Sequence, residues 1–120
     1  MPNKIDKILK QFISQVSSLI GTRLKKVILY GSYARGDYGK NSDIDIMILT
    51  DFNDEELAKY RMKIRDLACD LELENNVIIS PIVRNIDKYN NRINVIPFYM
   101  NVQKEGVVLH GWRYYSKWIC

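Results

Sequence analysis

Histidine is nearly missing from this sequence, cysteine is scarce and long apolar runs are absent, and each shortage removes a class of function. His110 is the only histidine, so a Ser-His-Asp or Cys-His arrangement would depend on that one residue. It follows the apolar run Val107–Leu109 and reads as structural or surface. The two cysteines, Cys69 and Cys120, have no metal-ligand spacing. Cys69 falls inside an expected helix, where a small core or boundary side chain is the simpler account. No apolar run approaches the roughly 20 residues that span a bilayer. Lys4 and Lys7 lead into helical periodicity rather than the apolar stretch of a signal peptide, so a cytoplasmic location without a membrane partner is expected. Neither sign of charge dominates: 18 basic against 14 acidic residues leave +4. That bias suits a polyphosphate or nucleic acid, but the basic residues are scattered rather than striped. Their densest cluster, Arg23, Lys25 and Lys26, reads as a solvated turn.

What is present is enough for a core. Apolar residues make up 47% of the 120 positions, which suits one domain over 1–120. Ile5, Ile8, Leu9, Phe12, Ile13, Val16 and Ile20 recur at helical spacing, with Asn3 as the expected N-cap and Gly21 as the stop. Val27–Tyr30 ends at a glycine and reads as a buried strand. A polar loop with room for a short helix, Gly31–Ser42, leads to a second strand, Asp43–Leu49. Asn53 followed by Glu56 is a capping-box start. Leu57, Tyr60, Ile64, Leu67, Ala68 and Leu71 then form one stripe of a helix that should stop near Asn75-Asn76. Arg61, Lys63 and Arg65 flank that stripe and read as solvated. Val77–Val83 is a third strand whose Pro81 points to an edge or bulge. Pro97 opens a helix through about Lys104, ended by Gly106, and Val107–Leu109 is a short last strand. The expected fold class is α/β or α+β, a mixed sheet of three to five strands with helices on one face.

The segment that carries chemistry is Val27–Leu49. Gly31 ends a buried strand, and Ser32-Tyr33-Ala34-Arg35 can begin a helical turn whose amides point outward without partners. Such a turn suits the terminal phosphates of a nucleotide. The Ser32 hydroxyl adds a donor, and Arg35 or Lys40 is placed to supply countercharge. Asp43 and Asp45 are two apart on a strand, so both leave the same face while Ile44 enters the core. Two crowded carboxylates favour a cation between them, and magnesium takes one or two carboxylates plus phosphate oxygens and water. A Gly-Ser after a strand is usually only a turn, and an Asp-x-Asp is commonly a solvated strand entry. The two together, each attached to a strand, point to metal-assisted phosphoryl-type transfer.

Gly31-Ser32, ten residues, then Asp43-Ile44-Asp45 resembles the signature of the DNA polymerase beta-like nucleotidyltransferase superfamily. The surrounding GSYARG and SDIDIMIL are similar to its minimal members, the MNT proteins, often encoded beside a HEPN partner as a toxin–antitoxin pair. The resemblance covers most of the chain. It implies that Gly31, Ser32 and adjoining main chain, with Arg35, hold the triphosphate of ATP, that Asp43 and Asp45 are catalytic and bind magnesium, and that AMP passes to a hydroxyl. In antitoxin-type members that hydroxyl is a tyrosine of the HEPN ribonuclease. One departure matters: such enzymes usually carry a third carboxylate on the next strand, whereas Val77–Val83 has none. Ser80 stands about where it would be, and Glu72, Glu74 and Asp87 only flank the strand. A slow enzyme, one completed by its partner, and a nucleotide- or partner-binding module therefore stay open. Transfer to a small molecule such as an aminoglycoside is disfavoured for want of a helical acceptor domain. A nucleic-acid duplex is not an expected partner, because room and basic surface are lacking.

Three tyrosines, Tyr30, Tyr33 and Tyr38, surround the motif and read as packing more readily than as base-stacking rings. The aromatic tail (Trp112, Tyr114, Tyr115, Trp118) suits an interface, with a second copy or another protein, rather than a base-stacking platform, and packing on its own domain suits it nearly as well.

Overall fold

The first apolar repeat folds as expected. Helix α1 (Asn3–Ile20) buries Ile5, Ile8, Leu9, Phe12, Val16 and Ile20, and Asn3, expected as its cap, is already helical. The computed structural model describes residues 3–111; the aromatic tail and Cys120 lie outside the described residues. Gly21–Arg23 form a 3-10 turn, followed by β1 (Leu24–Tyr30), the short helix α2 (Ser32–Arg35), β2 (Ile44–Thr50) and α3 (Asp54–Asn75). The chain continues through β3 (Ile79–Asn85), α4 (Ile86–Arg92), α5 (Pro97–Glu105) and β4 (Val107–His110). Helix α3 starts on the expected capping box, the Asn53 side chain accepting from the Glu56 amide and Glu56 reaching back to the Asn53 amide. It ends at Asn76 in the left-handed conformation (φ 53°), which asparagine tolerates.

Four strands form a mixed sheet in the order β3-β2-β1-β4. β1 runs antiparallel to β2 and β4, and β2 parallel to β3. Alternation along β2 divides the core. Ile44, Ile46 and Ile48 join α1 and α3 in one cluster, with Phe12, Ile64 and Leu71. Met47 and Leu49 join Ile28, Tyr30, Tyr89 and Val102 on the opposite face. The two long helices thus share one face, and the short α4 and α5 supply further cover on the other. α4 was not anticipated. Its sequence, IDKYNNR, is rich in poor helix formers, but the Asn85 side chain accepts from the Lys88 amide at 3.0 Å and Tyr89 is buried, so a cap and one anchor hold it. Gly106 joins α5 to β4 where a Cβ would meet Ile28 Cγ2 at 2.5 Å.

β3 is the edge strand that Pro81 implied, although it begins two residues later than expected. Its outer side is closed: Arg65 Nη1 donates to the Ile79 carbonyl at 2.8 Å, Arg61 Nη2 to that of Val83 at 3.2 Å, and Glu72 Oε2 accepts from the Ile79 amide at 2.8 Å. Arg61 and Arg65 are therefore not merely solvated; with Pro81 they blunt an edge that would otherwise pair with another chain. Arg23 is likewise no free turn residue. It binds both Asp51 and Glu56 and lies over the Phe52 ring, tying the start of β1 to the end of β2 and the head of α3. Lys25 and Lys26 belong to β1 itself.

Candidate active site

The site forms where β1 ends. Gly31 adopts φ 76° and ψ −156°, a conformation open essentially to glycine, and this turns the chain directly from strand into α2. The Gly31 carbonyl accepts from the amides of Ala34 and Arg35 at 3.1 and 3.0 Å. Ser32 and Tyr33, at the start of the turn, carry the amides that helix geometry leaves without intrahelical partners.

Register then brings the acids in. Tyr30 pairs with Asp45 across β1 and β2, so the glycine turn and the acidic entry of β2 meet at one end of the sheet. A Cβ on Gly31 would overlap the Asp45 carboxylate, with Asp45 Cγ only 3.2 Å away. The absence of a side chain at Gly31 is thus the space in which that carboxylate sits. Asp43 lies one residue before β2 and is exposed, while Asp45 is half-buried within it. Ser80 is the register neighbour of Asp45 on β3, so the position expected of a third acid on that strand is beside Asp45 and holds a hydroxyl. Glu72, a possible substitute, is committed to Ile79 and Arg65 on the outer edge. Glu74 and Asp87 are exposed on α3 and α4.

A carboxylate does reach the glycine turn, from the end of α5. Glu105, the last residue of α5, accepts from the Gly31 amide at 3.1 Å and from Arg35 Nη1 at 3.2 Å to each oxygen. The pairing of Leu29 with Val107, continued along the antiparallel ladder, sets Glu105 opposite Gly31. Only the β1–β4 register would have revealed it. Arg35 also binds Asp37 at 3.1 Å.

Electrostatics follow the geometry. Burial, then the charges of Asp43 and Glu105, push the Asp45 carboxyl above the usual carboxylate range, with Arg35 opposing. Burial and the Asp45 charge push the Tyr30 hydroxyl up to about 12. Tyr30 packs edge-on to Phe98 of α5, centroids 5.5 Å apart, and Tyr33 stacks on Tyr38 at 4.7 Å. All three tyrosines thus make packing contacts. Lys40 is exposed and lines a separate hollow of about 270 Å³ with Tyr33, Ser42, Asn76 and Ile78. His110 ends β4, and burial lowers its pKa.

A mixed sheet whose strand-ending glycine turn abuts a pair of aspartates has the architecture of a nucleotidyl-transfer fold, and comparison with known proteins bears on that class. A model of the nucleotidyltransferase domain family matches residues 7–99, and the chain belongs to that family. It is 40% identical over 105 residues to a candidate protein adenylyltransferase of Methanocaldococcus jannaschii, MJ0604, covering 88% of this chain and 97% of that one. Among solved structures, a candidate nucleotidyltransferase from Sulfolobus solfataricus superposes with a TM-score of 0.60 at 25% identity, over 92% of this chain and 85% of that one. A toxin–antitoxin structure with AMP-PNP gives a TM-score of 0.55 at 20% identity, over 92% and 74%, a likeness of fold.

Proposed function

We propose that this chain is a magnesium-dependent nucleotidyltransferase that moves AMP from ATP to a protein hydroxyl, a tyrosine of a HEPN-family toxin, and so acts as the antitoxin of the pair. The observation that carries the reading is the pairing of Tyr30 with Asp45, which sets the Gly31 turn against the acid pair. Related proteins named as candidate protein adenylyltransferases and the toxin–antitoxin fold neighbour with AMP-PNP support the donor and the acceptor class.

The donor set suits magnesium. Asp43 and Asp45 offer hard oxygens, and the Asp45 carboxyl is raised first by burial and then by the Asp43 charge, the second of which a bound cation would relieve. Among the described residues no group of three acids, histidines or cysteines is placed to hold an ion, so phosphate oxygens and water would complete the shell. When bound, magnesium neutralises phosphate charge and polarises the phosphoryl group under attack. The amides at Gly31 and Ser32, with the Ser32 hydroxyl, hold the outer phosphates, and Arg35 balances their charge. The acceptor oxygen bonds to the α-phosphorus as the bond to the bridging oxygen breaks and pyrophosphate leaves. Ser80 offers no carboxylate for the acceptor's proton, which passes to water or to a base that the acceptor brings.

Incubation with magnesium, ATP labelled in the α-phosphate and a HEPN protein, should one be encoded beside it, is expected to label a partner tyrosine. An unlabelled, properly folded partner would count against transfer. Ser80 beside Asp45 favours one second reading, a module that neutralises its partner by contact alone. Full neutralisation by the variant carrying both Asp43→Asn and Asp45→Asn would establish it.

A further inference from the structure

Glu105 is held where a polyanion is expected. Its carboxylate takes the Gly31 amide and the Arg35 guanidinium, the groups assigned above to nucleotide phosphate, and only about a quarter of its side-chain surface is exposed. Glu105 and Asp45 flank the same glycine, and the charge on Glu105 is one of the smaller causes that raise the Asp45 carboxyl, with Arg35 opposing. An acid suits that position because a main-chain donor and a guanidinium converge on it.

We propose that Glu105 is a positioning residue that occupies the phosphate site in the nucleotide-free protein and must leave Gly31 and Arg35 for a triphosphate to bind. The inference rests on the nucleotide reading of the site. The carboxylate keeps the Gly31 amide and Arg35 aligned while the site is without nucleotide, and it repels free anions that lack a metal to neutralise them. A nucleotide carrying its own cation brings more charge-assisted hydrogen bonds than one carboxylate can make, and displaces it. Nucleotide affinity is therefore set partly by the contact that has to be broken.

The test is calorimetric titration of the full chain with ATP and magnesium, and separately with pyrophosphate without metal, using wild type, Glu105→Gln and Glu105→Ala. Removing the charge should tighten ATP binding about threefold in Glu105→Gln, and removing the side chain about tenfold in Glu105→Ala. Metal-free pyrophosphate should bind the alanine variant detectably better than wild type. A purely structural tie predicts the reverse, weaker ATP binding with a lower melting temperature. A metal-ligand role predicts loss of the magnesium-dependent part of the affinity in Glu105→Gln. Either result overturns the proposal. Should Glu105→Ala fail to fold, the direction of change in the near-isosteric glutamine variant decides alone. ATP binding by neither wild type nor variants would defeat the nucleotide reading itself, an outcome distinct from binding that Glu105 does not affect.

Discussion

Substitution of Gly31 by alanine probes the backbone and the acid pair together. At φ 76° and ψ −156° an alanine pays about 1–3 kcal/mol for backbone strain. Its Cβ would also displace the Asp45 carboxylate, whose Cγ and Cβ lie 3.2 and 3.3 Å from that position. Forcing Asp45 off its rotamer adds about 1 kcal/mol. The sum, roughly 2–4 kcal/mol, corresponds to a melting temperature lower by about 10 °C in a chain of this size. Urea titration followed by circular dichroism, with an unchanged m-value, is the assay. A double-mutant cycle separates the two parts. Trimming Asp45 to alanine in the Gly31→Ala background should recover about 0.5–1.5 kcal/mol, the clash, and leave the backbone cost in place. A Gly31→Ala protein within about 0.5 kcal/mol of wild type would refute the strain. A penalty indifferent to Asp45 would refute the contact.

Asp45→Asn should stabilise the fold while removing a proposed metal ligand, a trade of the kind functional sites impose. The folded-state pKa of Asp45 lies above its ordinary 3.8, so the ionised form opposes folding: the penalty is absent below about pH 4, grows as pH rises through the folded-state value, and is complete at neutral pH. Because Asp45 is partly exposed, screening limits the gain to about 0.5–1 kcal/mol at pH 7. Thermal melts at pH 7 and near pH 3.5 should show it at the first and not the second, and a loss at pH 7 would contradict the sign. Asn53→Ala removes the acceptor for the Glu56 amide, 2.9 Å away, and should cost about 1 kcal/mol in the same melts; no change would mean the cap is idle.

Local signals carried most of the fold. The spacing from Ile5 to Ile20, the Asn53/Glu56 box, the Asn76 stop and Pro97 each fix an element through contacts within a few residues, and each element lies within about three residues of where the pattern put it. What escaped depends on tertiary partners. Arg61 and Arg65 look solvated until β3 presents its carbonyls to them, and Arg23 looks like a turn residue until Asp51 and Glu56 arrive from 28 and 33 positions away. The candidate site divides along the same line. Gly31, Ser32, Asp43 and Asp45 sit on two consecutive elements joined by one loop, so their meeting follows from a hairpin. Glu105 meets Gly31 across 74 positions, through a β1–β4 register that no periodicity encodes.

The most direct test of the central claim is calorimetric titration of ATP, with and without magnesium, into wild type and into the variant carrying Asp43→Asn and Asp45→Asn. The account predicts that the wild type binds ATP more tightly when magnesium is present, and that the folded double variant loses this metal-dependent increment. Equal, metal-indifferent binding by the two proteins would contradict it.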